Sequence, residues 1–370
     1  MIITYFDPHP KTSKEDFFDR EREVKELGSA NVPLIMVLGT RRIGKTSLIR
    51  VFFNETHTPH LFIDCRRFSS TSAKIEDFVN ILSSSLEKLS RRHKKLLKML
   101  SKVRGVNVFG VEMEIDPKNA KTSLIDLFHE LDEWSAEEGK HTYLVFDEAQ
   151  NLRFYRRAHG ISFNEVFGYI YDNLRNLRIV LTGSEVGLLE EFVGIENPVS
   201  PLYGRYMKEI YLKPFTRETS VDFLRLGFQQ AGMKVKESLL EKAVDVLDGI
   251  TGWLVYFGKT CLDLKEVDET AITSTLKVAS TMVESELQVL SKWSERYIHI
   301  LKVIAMGATG WSEIKEGVEF LEKQEITDAS ITRLLERLEK MGFIEKLTTR
   351  EGKILYRIVD PVVQHVVRGR

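Results

Sequence analysis

The sequence predicts an α/β fold of three layers around a central parallel sheet, with two smaller segments after it. Three observations carry this. Near-continuous apolar runs recur at 33–38 (PLIMVL), 61–65 (LFIDC), 142–147 (TYLVFD), 178–182 (RIVLT) and 208–212 (KEIYL). Helix-period segments such as IEDFVNILSSSLEKL and FNEVFGYIYDNL separate them. Beyond residue 214 the alternation stops and helices take over. Strands apolar on both faces, alternating with amphipathic helices, need a parallel sheet covered on both sides. With 370 residues, the chain is also too long for one compact core.

The first run leads into GTRRIGKTS (39–47), which opens the helix-like SLIRVFF. Gly39, Gly44, Lys45 and Thr46 match G-x-x-x-x-G-K-[ST]. The glycines let the backbone curl so that N–H groups point at phosphate oxygens. Lys45 reaches the terminal phosphates, Thr46 offers a hydroxyl to Mg²⁺, and the helix N-terminus backs the anion. The whole run is therefore the expected nucleotide-contacting segment: Gly39, Thr40, Arg41, Arg42, Ile43, Gly44, Lys45, Thr46 and Ser47.

Around the second run, HTPHLFIDC offers His57, His60 and Cys65, whose spacing matches no common zinc pattern. Next comes a basic stretch bearing Lys88, Arg91, Arg92, Lys94, Lys95, Lys98, Lys102 and Arg104. It reads as a solvated helix face with Leu89, Leu96, Leu97 and Leu100 turned inward, or as a partner or nucleic-acid surface. The alternating residues after it suggest an edge strand or hairpin.

The third run ends in Asp147 and Glu148. Asp147 suits the Mg²⁺ shell, and Glu148 is expected to orient or deprotonate an attacking water. The fourth ends in TGSE, where Thr182 or Ser184 is expected to bond the γ-phosphate or the water. Arg205, before the fifth run, is a candidate for γ-phosphate charge, in cis or from a neighbouring protomer.

From residue 215 the chain reads as helical, with Thr216 or Thr219 as N-cap and Gly232 as a stop. The last stretch shows three helices, SERYIHILKVIAMG, WSEIKEGVEFL and SITRLLERLEKMG, then FIEKLTTREGKILYRIVD, two strands turning at Glu351-Gly352. That order describes a winged helix-turn-helix. The boundaries read as a nucleotide-binding domain at 1–214, a helical lid at 215–288 and a winged helix at 289–370.

Formal net charge is −1, so any nucleic-acid or membrane site is a local patch. Residues 291–370 hold 14 Lys/Arg against 12 Asp/Glu. In the third helix Arg333, Arg337 and Lys340 interleave with Glu336 and Glu339, whereas the wing carries Lys346, Arg350, Lys353 and Arg357. Protein or intramolecular docking is thus the first expectation for this segment and DNA binding the second. Two distant cysteines and an N-terminus without a signal pattern suit a cytoplasmic chain, and no apolar run is long enough to span a membrane.

Together FFDREREV (17–24), GTRRIGKTSLI (39–49), YLVFDEAQ (143–150), IVLTGS (179–184) and SPLYGR (200–205) resemble the archaeal ATPases of the STAND branch of AAA+-type P-loop NTPases, relatives of archaeal replication-initiator ATPases. The resemblance covers essentially the whole chain. It implies ATP or ADP with Mg²⁺, a five-stranded sheet with the P-loop strand central, and a lid closing over the nucleotide. It also implies base-side contacts from Asp19 and Arg20, with Arg41 and Arg42 outside the phosphate cage. One departure is GITGWLVYF (249–257), where Trp253 occupies the neighbourhood of the lid proline that such proteins place against the base. The resemblance points to slow ATP hydrolysis that sets a conformational state, or alternatively to ATP-regulated DNA binding through the winged helix.

Overall fold

A computed structural model describes residues 5–68, 74–103, 106–109, 112–115, 120–155 and 162–369. Its main sheet is parallel and five-stranded: β1 (Leu34–Leu38), β2 (His60–Asp64), β5 (Thr142–Asp147), β6 (Leu177–Gly183) and β7 (Lys208–Tyr211), in the order β2-β5-β6-β1-β7. The phosphate-loop strand β1 therefore lies one place off centre, and β6 takes the middle. Alternate residues of β1 divide between two cores. Leu34, Met36 and Leu38 face one side with α3 (Ile75–Arg92), α4 (Lys94–Leu100) and α5 (Ala120–Glu138). Ile35 and Val37 face the other, where α2 (Lys45–Thr56) packs behind α1 (Glu21–Ser29). Apolar residues at every strand position are what such two-sided burial requires.

Within the basic stretch, Leu89, Leu96 and Leu100 are buried and Leu97 is half-buried, while Lys94, Lys95 and Lys98 are exposed. Arg104 lies outside the described residues. The segment after it forms an antiparallel pair, β3 (Val106–Phe109) and β4 (Glu112–Ile115). His57 is exposed, the His60 ring stacks on Phe53, and Cys65 is buried with its thiol pushed up by burial.

On the Ile35/Val37 side the core continues unbroken into the C-terminal half. Here α8 (Arg217–Gln230), α9 (Glu237–Leu247), α10 (Thr251–Leu264) and the long α11 (Glu269–Ser291) form the helical segment. Thr216 caps α8, its hydroxyl accepting the Thr219 N–H at 3.1 Å. Then α12 (Glu295–Ala305), α13 (Trp311–Glu322), α14 (Asp328–Lys340) and the hairpin β8 (Ile344–Thr348)–β9 (Ile354–Ile358) make the winged helix, whose third strand position is a single bridge from Gly310 to Leu355. A terminal helix, α15 (Pro361–Arg368), follows and buries Val362, Val363, Val366 and Val367 against α11 and α12. On the core side, α6 (Phe163–Asn173) and α7 (Val186–Val193) flank β6.

Candidate active site

At the carboxyl ends of β1, β5 and β6 lies a cleft of about 700 Å³, the place where open α/β sheets hold ligands. Its floor is the loop between β1 and α2. Gly39 is needed by close approach, since a Cβ there would lie 2.6 Å from the Leu212 carbonyl oxygen. Gly44 is needed by conformation, with φ of 97°. The Lys45 ammonium donates to the carbonyls of Gly39 (2.8 Å) and Thr40 (2.9 Å) and stands 4.0 Å from Glu148 Oε1. Burial lowers its pKa, opposed by the charges of Glu148 and Asp147. The buried Thr40 hydroxyl has no hydrogen-bond partner among the described residues.

The parallel pairing of β5 with β6 brings two carboxylates to the loop. Asp147 accepts from Thr46 Oγ1 (3.0 Å) and Thr182 Oγ1 (2.6 Å). Burial, helped by the adjacent Glu148, raises its pKa against these bonds. Glu148 follows in left-handed backbone, φ 55°, a conformation that is costly for a non-glycine residue. One carboxylate oxygen, Oε2, receives the Ser184 N–H (2.9 Å), the Ser184 hydroxyl (2.8 Å) and the Gln150 amide (2.8 Å). Burial works upward on Glu148, but Lys45 and these bonds outweigh it and its pKa falls. It therefore stays ionised, with Oε1 towards Lys45.

Thr182 and Ser184 divide roles that the sequence left open. Thr182 is fully buried, and its oxygen donates to Asp147 while accepting the Glu148 N–H at 2.9 Å. It holds the two carboxylates and does not face the cleft; Ser184 does. Arg205 is placed elsewhere: its guanidinium is bonded to Pro201 O and paired with Asp172, over the Tyr171 ring. Arg20 lines the cleft, stacked 4.6 Å over Phe215 and donating to Lys213 O. Asp19, at φ 48°, turns into a neighbouring groove instead.

Arg41 and Arg42 face away from the loop's interior, towards the C-terminal half. Arg41 pairs with Glu185 (2.7 Å) and Glu286 (3.0 Å), and Arg42 with Glu286. The Arg42 guanidinium also lies 4.2 Å over the Trp253 ring and 3.9 Å from Asp360. Trp253 is buried and donates its indole N–H to both Asp360 oxygens at 3.0 Å.

Sequence reasoning missed three groups of lining residues. The N-terminal segment Tyr5–Lys11 covers one side, tied down where the Lys11 N–H meets Ser47 Oγ at 3.1 Å. Phe17, Phe18, Phe223 and Tyr256 make the end near Arg20 aromatic. Arg66 enters from the turn after β2. The FFDREREV stretch hinted at the second group; the other two follow no local pattern.

These groups suit a nucleoside triphosphate. The first turn of α2, Lys45 and the unpartnered Thr40 hydroxyl suit phosphate oxygens. Thr46 and Asp147 supply the oxygen donors a hard divalent cation takes. The flat aromatic end suits a base.

Comparisons with known proteins agree. A family model described as an ATPase domain predominantly from Archaea matches residues 17–257, and one for the C-terminal winged helix-turn-helix of MCM proteins matches 291–359. A Walker-type ATPase of Pyrococcus abyssi is 39% identical, with 98% of this chain and 99% of that one covered, at a TM-score of 0.83. Fainter likenesses include the ORC2 protein of Aeropyrum pernix (13%, 99% and 97% covered, TM-score 0.49) and a Cdc6p of Pyrobaculum aerophilum (14%, 99% and 97%, 0.48). Among curated protein sequences none matches. The chain is thus a P-loop ATPase, and it belongs to the ATPase domain family found predominantly in Archaea.

Proposed function

We propose that the chain binds ATP with Mg²⁺, hydrolyses it slowly, and uses the nucleotide state to set the arrangement of core, helical lid and winged helix, as a STAND-type switch. Lys45 and the loop hold the phosphates, Thr46 and Asp147 hold the metal, and Glu148 takes the proton of the attacking water. Bound Mg²⁺ supplies charge neutralisation of the β- and γ-phosphate oxygens.

The observation that carries the switch is the seat of Arg42. This residue lies inside the phosphate loop, at φ 64°. Its side chain is gripped by Trp253 of α10, Glu286 of α11 and Asp360, the N-cap of α15. Its carbonyl accepts the Gly252 N–H at 2.8 Å. A second contact lies behind Glu148, where a Cβ on Gly342 would come 3.2 Å from the Ser184 carbonyl oxygen. The loops after β1 and β6, both placed to feel the γ-phosphate, are thus in contact with the C-terminal half. The test is small-angle scattering and limited proteolysis with ADP against a non-hydrolysable ATP analogue. A nucleotide-dependent change in the wild type, diminished in Arg42→Ala, supports the switch; identical profiles in both nucleotides refute it.

DNA binding remains the second reading, favoured by the winged-helix match and by the exposed Arg350 and Lys353 of the wing. The third helix is less available. Lys340 of α14 pairs with Glu191 of α7 at 3.0 Å, and the two helices pack together. Sequence reading by α14 would therefore require undocking from the core.

A further inference from the structure

Arg66 has no role in the sequence reading, yet it is the cation best placed at the metal end of the cleft. The register of β2 against β5 sets Asp64 level with Asp147. The chain then tightens into a short turn, Cys65–Arg67, with the Arg66 N–H on Asp64 Oδ1 at 3.1 Å. The Arg66 side chain folds back over the same carboxylate, Nε to Oδ1 at 2.8 Å and Nη2 to Oδ2 at 2.6 Å. This two-pronged bond fixes the plane of the guanidinium and uses two of its five N–H donors. The same Nη2 stands 3.9 Å from Asp147 Oδ2, the oxygen that accepts from Thr46. The side chain is 54% exposed, and it lines the cleft.

Of the other cations that line this cleft, Arg41, Arg42, Arg20 and Lys11 each have partners of their own, Lys11 on the Asp7 carbonyl. Arg41 and Arg42 are bound to Glu185 and Glu286, Arg20 sits at the aromatic end, and Arg205 lies outside with Asp172. Lys45 serves the loop side. On the Asp147 side the charge of a terminal phosphate would meet Arg66.

We propose that Arg66 is a catalytic residue of the ATPase, a cis arginine that contacts the terminal phosphoryl group, and that Asp64 is its positioning residue. Water oxygen bonds to the γ-phosphorus while the bond from that phosphorus to the β,γ-bridging oxygen breaks. The electron pair leaves with ADP, and the water proton passes to Glu148. Arg66 exchanges no proton; it neutralises charge on the moving phosphoryl oxygens, a role worth about 10³–10⁵-fold where an arginine supplies it. The proposal rests on ATP occupying this cleft.

The test uses the full chain, fluorescent ADP with Mg²⁺, and aluminium fluoride as the mimic of the phosphoryl group in flight. In the wild type, aluminium fluoride should slow ADP release markedly. Arg66→Ala should bind ADP within roughly threefold of wild type, lose the aluminium fluoride effect, and lose turnover by at least about 100-fold. Arg66→Lys should restore little, because a point charge lacks the fork held by Asp64. Asp64→Asn should lower kcat more than it raises KM, and add nothing to Arg66→Ala in the double variant. An Arg66→Ala protein that keeps both turnover and the aluminium fluoride effect overturns the proposal. So does one whose ADP affinity falls as far as its turnover. A wild type that binds no ADP would instead overturn the nucleotide reading beneath it.

Discussion

Asp147 and Glu148 are neighbours in sequence with opposite pKa shifts, and the difference lies in their partners. Asp147 is fully buried with two hydroxyl donors, and burial keeps its pKa above the ordinary carboxylate value. Such a group stabilises the fold below its unfolded pKa, and that contribution is lost as pH rises through the folded one. At neutral pH its ionisation therefore costs the nucleotide-free protein stability. Asp147→Asn should raise the melting temperature at pH 7 by about 2 °C, a gain that vanishes towards pH 4, while metal-dependent hydrolysis is lost. A gain that persists in acid would contradict burial as the cause. Glu148 shifts the other way, because Lys45, Gln150 and Ser184 outweigh burial. Its contribution is present above the unfolded carboxylate pKa and fades only as pH falls below it. Lys45, Thr46, Asp147 and Glu148 were legible in the sequence because a phosphate cradle demands those residue types at fixed places after strands. Arg66 was not, since one arginine after a strand carries no pattern; only the level placing of Asp64 beside Asp147 shows its use. Arg205 shows the converse, a suggestive position drawn off by Asp172.

At the scale of elements, the inner strands β1, β5 and β6 were the most readable feature, because burial at every position demands an unbroken apolar run. Their order was not readable: nothing in RIVLT says that β6 takes the centre. The helix α15 was missed because PVVQHVV is short and rich in β-branched residues, and its apolar stripe acquires meaning only against α11 and α12. The resemblance set Trp253 in the neighbourhood of the lid proline. It is buried, and its indole joins the phosphate loop to the cap of α15. Trp253→Phe should keep the packing and leave the half-buried Asp360, whose pKa burial already raises, with only the Val362 N–H and Arg42 as partners. The expected cost is about 1–3 kcal/mol in denaturant unfolding. Asp360→Asn in that background should recover part of it; no recovery would mean that the bond is incidental to the junction.

For the whole molecule, one hydrophobic core runs from the sheet through the helical segment to α15. Nucleotide chemistry at one end is thereby joined to the winged helix at the other. With α14 docked on α7, duplex DNA titrated at low salt should bind weakly to the wild type. If the wing makes contact, Arg350→Ala and Lys353→Ala should flatten the salt dependence by about one unit of slope each; unaltered slopes would remove the wing from any DNA interface. The central claim, that this cleft turns over ATP through Glu148, is tested most directly in Glu148→Gln by measuring ATP binding and single-turnover hydrolysis on the same protein. Binding should stay within roughly threefold of wild type, while hydrolysis falls at least about 100-fold. Hydrolysis at the wild-type rate would contradict the account.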